Sequence, residues 1–155
     1  MRISAKADYA VRAAAHLARR ELADPPGPTK GEAIATAQGI PVKFLENILG
    51  DLRHAGLVRS QRGAEGGYWL NRPAAEVSVA DVIRAVDGPL ASIRGQRPED
   101  VPYEGGVEAL QQVWIAVRAN LRAVLETVTL ADLAAGRLPD PVARLADDPE
   151  AWVTR

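Results

Sequence analysis

The chain contains no cysteine. That absence excludes a disulfide framework, a thiolate nucleophile, a cysteine-bound zinc and a cysteine-ligated iron–sulfur cluster. Histidine occurs only at positions 16 and 54, too few and too far apart for a zinc-finger spacing. Apolar runs are short, and none approaches the roughly 20 residues that a membrane-spanning helix needs. The opening MRISAKADYAVR lacks the apolar core of a signal peptide, so the cytoplasm is the expected compartment. The serines at 4, 60, 78 and 92 sit in no nucleophile elbow, and no carboxylate pair or histidine–carboxylate spacing suggests acid–base work. The glycine pairs at 66–67 and 105–106 lack the Lys-Ser/Thr of a phosphate loop. These absences point away from an enzyme, a metal site and a bound cofactor.

What is present is a 155-residue chain that is 47% apolar, enough for one domain, or a small domain with a helical extension, to bury a core without staples. The net charge of −1 conceals an asymmetry. Residues 1–73 carry 11 Lys/Arg against 7 Asp/Glu, whereas residues 74–155 carry 8 against 13. A basic first half and an acidic second half suggest that one end meets a polyanion.

The first helix is expected over residues 4–22, with Ser4 as N-cap and an alanine-rich face for close packing. ADPPGP at 23–28 ends it. Thr29-Lys30-Gly31-Glu32 has the form of a capping box opening a short helix to about Ala37. After a turn at Gln38-Gly39, PVKFLENILGDLRHAG forms another helix ending at Gly56, with Phe44, Leu45, Ile48, Leu49 and Leu52 as its buried stripe. Two short extended pieces, 57–61 and 68–70, flank a glycine-rich turn and make a β-hairpin. Ser78 opens a helix over 78–87. Helix, short helix, turn, helix, hairpin, helix is the order of a winged helix-turn-helix.

Residues 89–106 are read as a flexible, polar loop. Beyond it, Val107, Leu110, Trp114, Val117, Leu121, Val124 and Val128 recur at alternating spacings of 3 and 4, an apolar seam that suits dimerisation. Val113 and Ile115 widen that apolar surface. The tail, 137–155, adds a short helix and an irregular acidic end.

The helix at 41–55 is the candidate recognition element. Lys43, Glu46 and Asn47 face outward with Gly50, and their donors and acceptors match guanine, cytosine and adenine edges in a major groove. A plain solvated helix face would show the same residues. Arg59 and Arg62 precede the hairpin tip, where an arginine enters a minor groove. Gly66 and Gly67 let backbone approach closely. Arg53 joins the candidate set on charge and position.

The run from Gly39 to Gly88, and within it L-x-x-A-G-L-V-x-S-x-R-G-x-x-G-G-Y, resembles the winged-helix core of the Rrf2 family of bacterial transcription regulators. MRISAKADYAVRAAAHLA is similar to that family's first helix, and VTLADLAAG to the end of its dimerisation helix. The resemblance covers roughly residues 1–136. It implies a mainly α fold with a small β-hairpin wing, made of a winged helix-turn-helix domain at 1–88 and a dimerisation region at 107–136. It implies a homodimer on a pseudo-palindromic double-stranded operator, a transcription regulator whose expected mode is repression, with activation as the alternative. Lys43, Glu46 and Asn47 would face bases, Arg62 and Gly66-Gly67 would serve the wing, and Arg2, Lys6 and Tyr9 would lie near phosphates. Leu110, Trp114, Val117, Leu121, Val124 and Val128 would form the dimer seam.

The chain departs from its cluster-bearing relatives in the loop at 91–106, where their three cysteines have no counterpart, so cluster sensing does not transfer. Arg94, Arg97, Tyr103 and Trp114 offer cations, a phenol and an indole for an anionic or aromatic effector instead. Solvated arginines and a core tryptophan would account for the same residues. The alternative function is a winged-helix protein-interaction module without sequence-specific DNA binding. The outward face of 41–55 discriminates: Lys43, Asn47, Arg59 and Arg62 favour DNA, and apolar residues there would favour a protein partner.

Overall fold

The computed structural model describes residues 2–154. Helix α1 (Ala5–Glu21) begins where Ser4 accepts a hydrogen bond from the Ala7 N–H. Its buried alanines, among them Ala10, Ala13, Ala14 and Ala18, leave no bulk to hold neighbours away. Helices α2 (Gly31–Gln38), α3 (Val42–His54), α4 (Val79–Asp87) and α6 (Leu130–Ala135) therefore pack around α1. Leu17, Ile34, Leu45, Ile48, Leu49, Leu52, Val82 and Leu130 fill the centre. Each such side chain, fully withdrawn from water, stabilises the fold by about 1.5–3 kcal/mol.

The turn between α2 and α3 is made by Gly39, whose φ of 62° lies in the left-handed region. Ala55 and Gly56 end α3, with the Leu57 N–H donating back to the Leu52 carbonyl. Strands β1 (Val58–Gln61) and β2 (Gly67–Leu70) pair antiparallel, Val58 opposite Leu70 and Gln61 opposite Gly67.

Thr29 corrects one sequence expectation. It does not cap α2, whose N-cap is Lys30 without a side-chain bond. Instead its N–H donates to the Tyr68 carbonyl at 3.0 Å and its carbonyl accepts from the Tyr68 N–H at 2.8 Å, adding a one-residue third strand to the wing. A capping box is a four-residue signal, and here a backbone partner 39 positions away outcompetes it.

Two capping boxes stand side by side where α4 and α6 begin. Ser78 and Asp81 close one, Thr129 and Asp132 the other, across an antiparallel bridge between Ser78 and Thr129. Val128 is consequently buried in the chain's own core, which removes it from the expected dimer seam. Helix α5 (Ala109–Leu125) is shorter than the seam suggested and has no buried residue. Helix α7 (Asp140–Ala146) and a 3-10 turn at Pro149–Trp152 complete the described chain.

The 89–106 segment is not the flexible loop expected from its composition. Ile93 and Gln96 exchange both backbone hydrogen bonds around a tight turn with Arg94 and Gly95 at positive φ. A 3-10 turn at Pro98–Asp100 follows, and Pro98 and Val101 are fully buried. The Gln111 amide of α5 donates to the carbonyls of Pro98, Glu99 and Val101, tying the segment to the helix.

Candidate nucleic-acid interface

The exposed side of α3 carries Lys43, Glu46 and Asn47, with Arg53 and His54 further along. Leu45, Ile48, Leu49 and Leu52 anchor the opposite side in the core, which fixes the outward direction of the polar set. Lys43, Glu46 and Asn47 have no hydrogen-bond or ion-pair partner among the described residues, so their polar groups are available to base edges. No side chain caps the N-terminus of α3, leaving its first N–H groups and the positive end of its dipole open to a phosphate.

Phe44 departs from its expected place in the buried stripe. It is 37% exposed and meets Tyr9 of α1 edge-on, with ring centroids 5.6 Å apart. Its neighbour Leu45 in the same first turn is 1% exposed, so Phe44 lies on the flank of the buried stripe and not at its centre. Phe44, Tyr9, Lys43 and Asn47 line a shallow apolar depression on the outward side of α3. Sequence reasoning missed it because Phe44 falls one turn before the buried Ile48, and periodicity alone cannot say how far the core reaches around the helix. The Tyr9 ring is also covered by the Arg12 guanidinium at 5.3 Å.

The remaining candidates divide sharply. Arg62 is exposed at the wing tip without a partner, and Arg2 is likewise exposed. Lys6 is instead engaged within the chain: its ammonium lies 2.7 Å from the Asp51 carboxylate and donates to the Val86 carbonyl at 3.1 Å, joining α1, α3 and α4. A phosphate could take it only by displacing both. Arg53 donates to the Ser60 hydroxyl, fastening α3 to β1.

Arg59 projects from the other face of the hairpin, because side chains alternate along a strand. Its guanidinium lies 4.7 Å from the centroid of Trp69, beside Pro26 and Gly27, so it is a cation–π partner rather than a wing-tip residue. Gly66 and Gly67 are buried, and the close backbone approach they permit is internal. A Cβ on Gly66 would lie 2.1 Å from the Gln61 carbonyl oxygen, and one on Gly67 2.8 Å from that of Thr29. Lys30, absent from the sequence candidates, donates to the Gly63 carbonyl at 2.6 Å and places a further cation at the wing.

On α5, Val117, Leu121 and Val124 line an open apolar groove together with Ile3, Ile83 and Val113. Leu110 and Trp114 are half-buried and lie outside it. Of the proposed effector residues Arg94, Arg97, Tyr103 and Trp114, only Arg97 lines the cleft between α4, the 89–100 segment and α5. The four do not form one site.

A wing of two strands plus Thr29, a helix-turn-helix built on α2 and α3, and a polar face on α3 define a winged helix-turn-helix transcriptional regulator. The profile of the Rrf2 family, described as an iron-dependent transcriptional regulator, matches residues 3–136. A relative in Mycobacterium tuberculosis, named as a helix-turn-helix-type transcriptional regulator, is 55% identical over 148 residues, covering 96% of this chain and 90% of that protein. The fold is similar to CymR of B. subtilis, the global cysteine regulator, with a TM-score of 0.73 and 32% identity over 88% of this chain and 98% of that one. T. potens IscR matches with a TM-score of 0.68 and 32% identity over 100% of this chain and 93% of that one. The chain belongs to the Rrf2 family of transcriptional regulators and is not an enzyme.

The iron in the family's description finds no suitable donors here. The chain has no thiolate to offer, and among the described residues no three His, Asp or Glu side chains gather to hold a metal ion. No helix among the described residues is long and apolar enough to cross a membrane.

Proposed function

We propose that this regulator binds a pseudo-palindromic operator as a homodimer and represses transcription without a cysteine-ligated cluster. The observation that carries the reading is the unpartnered polar face of α3, Lys43, Glu46 and Asn47, set beside a wing whose tip bears Arg62. Two such helices related by a two-fold axis enter successive major grooves, and each wing reaches the adjacent minor groove. The groove along α5 supports the dimer, because Val113 is 50% exposed and a second α5 would cover it with Val117, Leu121 and Val124.

The test is selection of genomic DNA by the purified protein, followed by gel shifts on the best fragment at two salt concentrations. A palindromic site bound more weakly at the higher salt is expected, since phosphate contacts release counterions. Arg62→Ala should weaken operator binding by about 1–3 kcal/mol if it reads a groove, or lower the salt slope by about one if it meets only phosphate. Selection of no sequence, or binding indifferent to salt, would instead favour the protein-interaction module.

A further inference from the structure

Four arginines from three elements converge on one cleft of about 450 Å³. Arg84 comes from α4, Arg97 from the segment before the 3-10 turn, and Arg118 and Arg122 from one face of α5. The volume lies within the range of about 300–1,000 Å³ typical of small-molecule sites. Among the described residues, Glu99 is the only carboxylate lining the cleft. Arg118 is committed to Glu99, and Arg84 to Glu126 with a longer approach to Asp81 at 3.8 Å. Arg97 has no ion-pair partner among the described residues, and Arg122 reaches only to 3.9 Å from the Glu126 carboxylate. Arg97, which acts on Glu99 only through space, and Arg122, whose one ion pair is long, are thus the least committed guanidinium groups of the cleft, and their neighbours are held in place by shorter ion pairs.

The backbone adds donors. Ala91 adopts a φ of 53°, a conformation that L-residues seldom take, and it lines the cleft with Ser92. Neither residue's N–H, nor the Ser92 hydroxyl, has a hydrogen-bond partner among the described residues. Planar guanidinium forks match the two oxygens of a carboxylate or phosphate in bidentate fashion, which a hydrated lysine would not do as selectively.

We propose that this cleft binds a small dianion carrying carboxylate or phosphate groups, held by Arg97 and Arg122 with Arg84, Arg118 and the Ala91-Ser92 donors around it. The site refines the effector reading of the 91–106 segment and shares with it only Arg97. Its walls join α4, which packs on the recognition helix, to α5, which carries the dimer groove. A ligand here bears on the angle between the two. That regulatory consequence rests on the proposed operator-binding dimer, but ligand binding itself does not.

The test is isothermal titration calorimetry on the full chain without DNA, with succinate and O-phosphoserine as probes and neutral succinamide as control. Saturable binding of at least one dianion and none of succinamide is expected. Because each charge-assisted hydrogen bond is worth roughly a factor of ten in affinity, Arg97→Ala and Arg122→Ala should each weaken binding about tenfold. Both side chains are exposed and neither makes a short ion pair, so neither variant should lose its fold, and a circular dichroism melt checks this. No heat from either dianion, equal binding of succinamide, or unchanged affinity in both variants overturns the site. Failure to bind any operator would leave the calorimetric result standing, so the two readings fail separately.

Discussion

Gly66 shows how one missing side chain shapes the wing. With the site of its Cβ 2.1 Å from a backbone oxygen of β1, any larger residue forces the strands apart. Gly66→Ala should destabilise the protein by about 1–3 kcal/mol, as overpacking does elsewhere, read as a lowered thermal midpoint. Phe44 poses the opposite case, an apolar ring left 37% exposed on a face otherwise built for polar contacts. In the proposed operator complex a thymine methyl in the major groove would cover it. Phe44→Ala should lower operator affinity by roughly 1 kcal/mol through lost apolar burial. Replacing the contacted thymine with deoxyuridine should cost the wild type a similar amount and the variant nothing. A full loss in both would take Phe44 out of the reading face.

Between elements, the joint of α1 with α2 is polar as well as apolar. The Gln38 amide lies 3.3 Å from His16 Nδ1, and the Arg12 guanidinium donates to the Gln38 carbonyl. Burial, reinforced by nearby Arg19, holds the His16 imidazole below its ordinary pKa of 6.5. The folded protein therefore keeps His16 neutral where the unfolded chain already binds a proton. Stability contributed by the neutral form is complete above the unfolded pKa and declines as pH falls through it toward the depressed folded value. The unfolding midpoint in denaturant should drop between about pH 7.5 and 5.5, the range in which an ordinary histidine titrates. His16→Gln should flatten that drop. An equal drop in the variant would assign the effect to other groups. Glu99 is likewise held below its ordinary carboxylate pKa, by a backbone hydrogen bond first and by Arg118 second.

At the scale of the whole molecule, the winged domain and α5 are differently supported. The domain closes around α1, whereas α5 packs within the chain mainly on the 3-10 turn at Pro98–Asp100 and the adjoining part of α4. Its apolar groove is the surface that the proposed dimer covers. Val113→Asp would place a charge there at little cost to a monomer in which Val113 is 50% exposed. Light scattering should then show a monomer in place of a dimer. Operator affinity should fall by a factor on the order of 100 as the second half-site contact becomes bimolecular. A dimer that survives the substitution would move the interface off this groove.

The sequence by itself determined the local elements. Ser4, Gly39, Gly56 and the Ser78–Asp81 box each act within four or five residues, so spacing and residue type suffice to read them. The helical period also separated the outward Lys43, Glu46 and Asn47 from the core. The family resemblance extended this to the winged-helix order. Tertiary structure alone decided which candidates remain open to a ligand. Lys6 meets Asp51 across 45 positions, Arg59 finds Trp69 through strand register, and Thr29 joins Tyr68 rather than capping its helix. Val128 enters the core because α6 returns to α1, and the four arginines of the cleft span positions 84 to 122. A side chain's partner is set by the packing of elements distant in sequence. Charge and pattern therefore nominate a residue, and only the folded chain shows whether its charge is already taken.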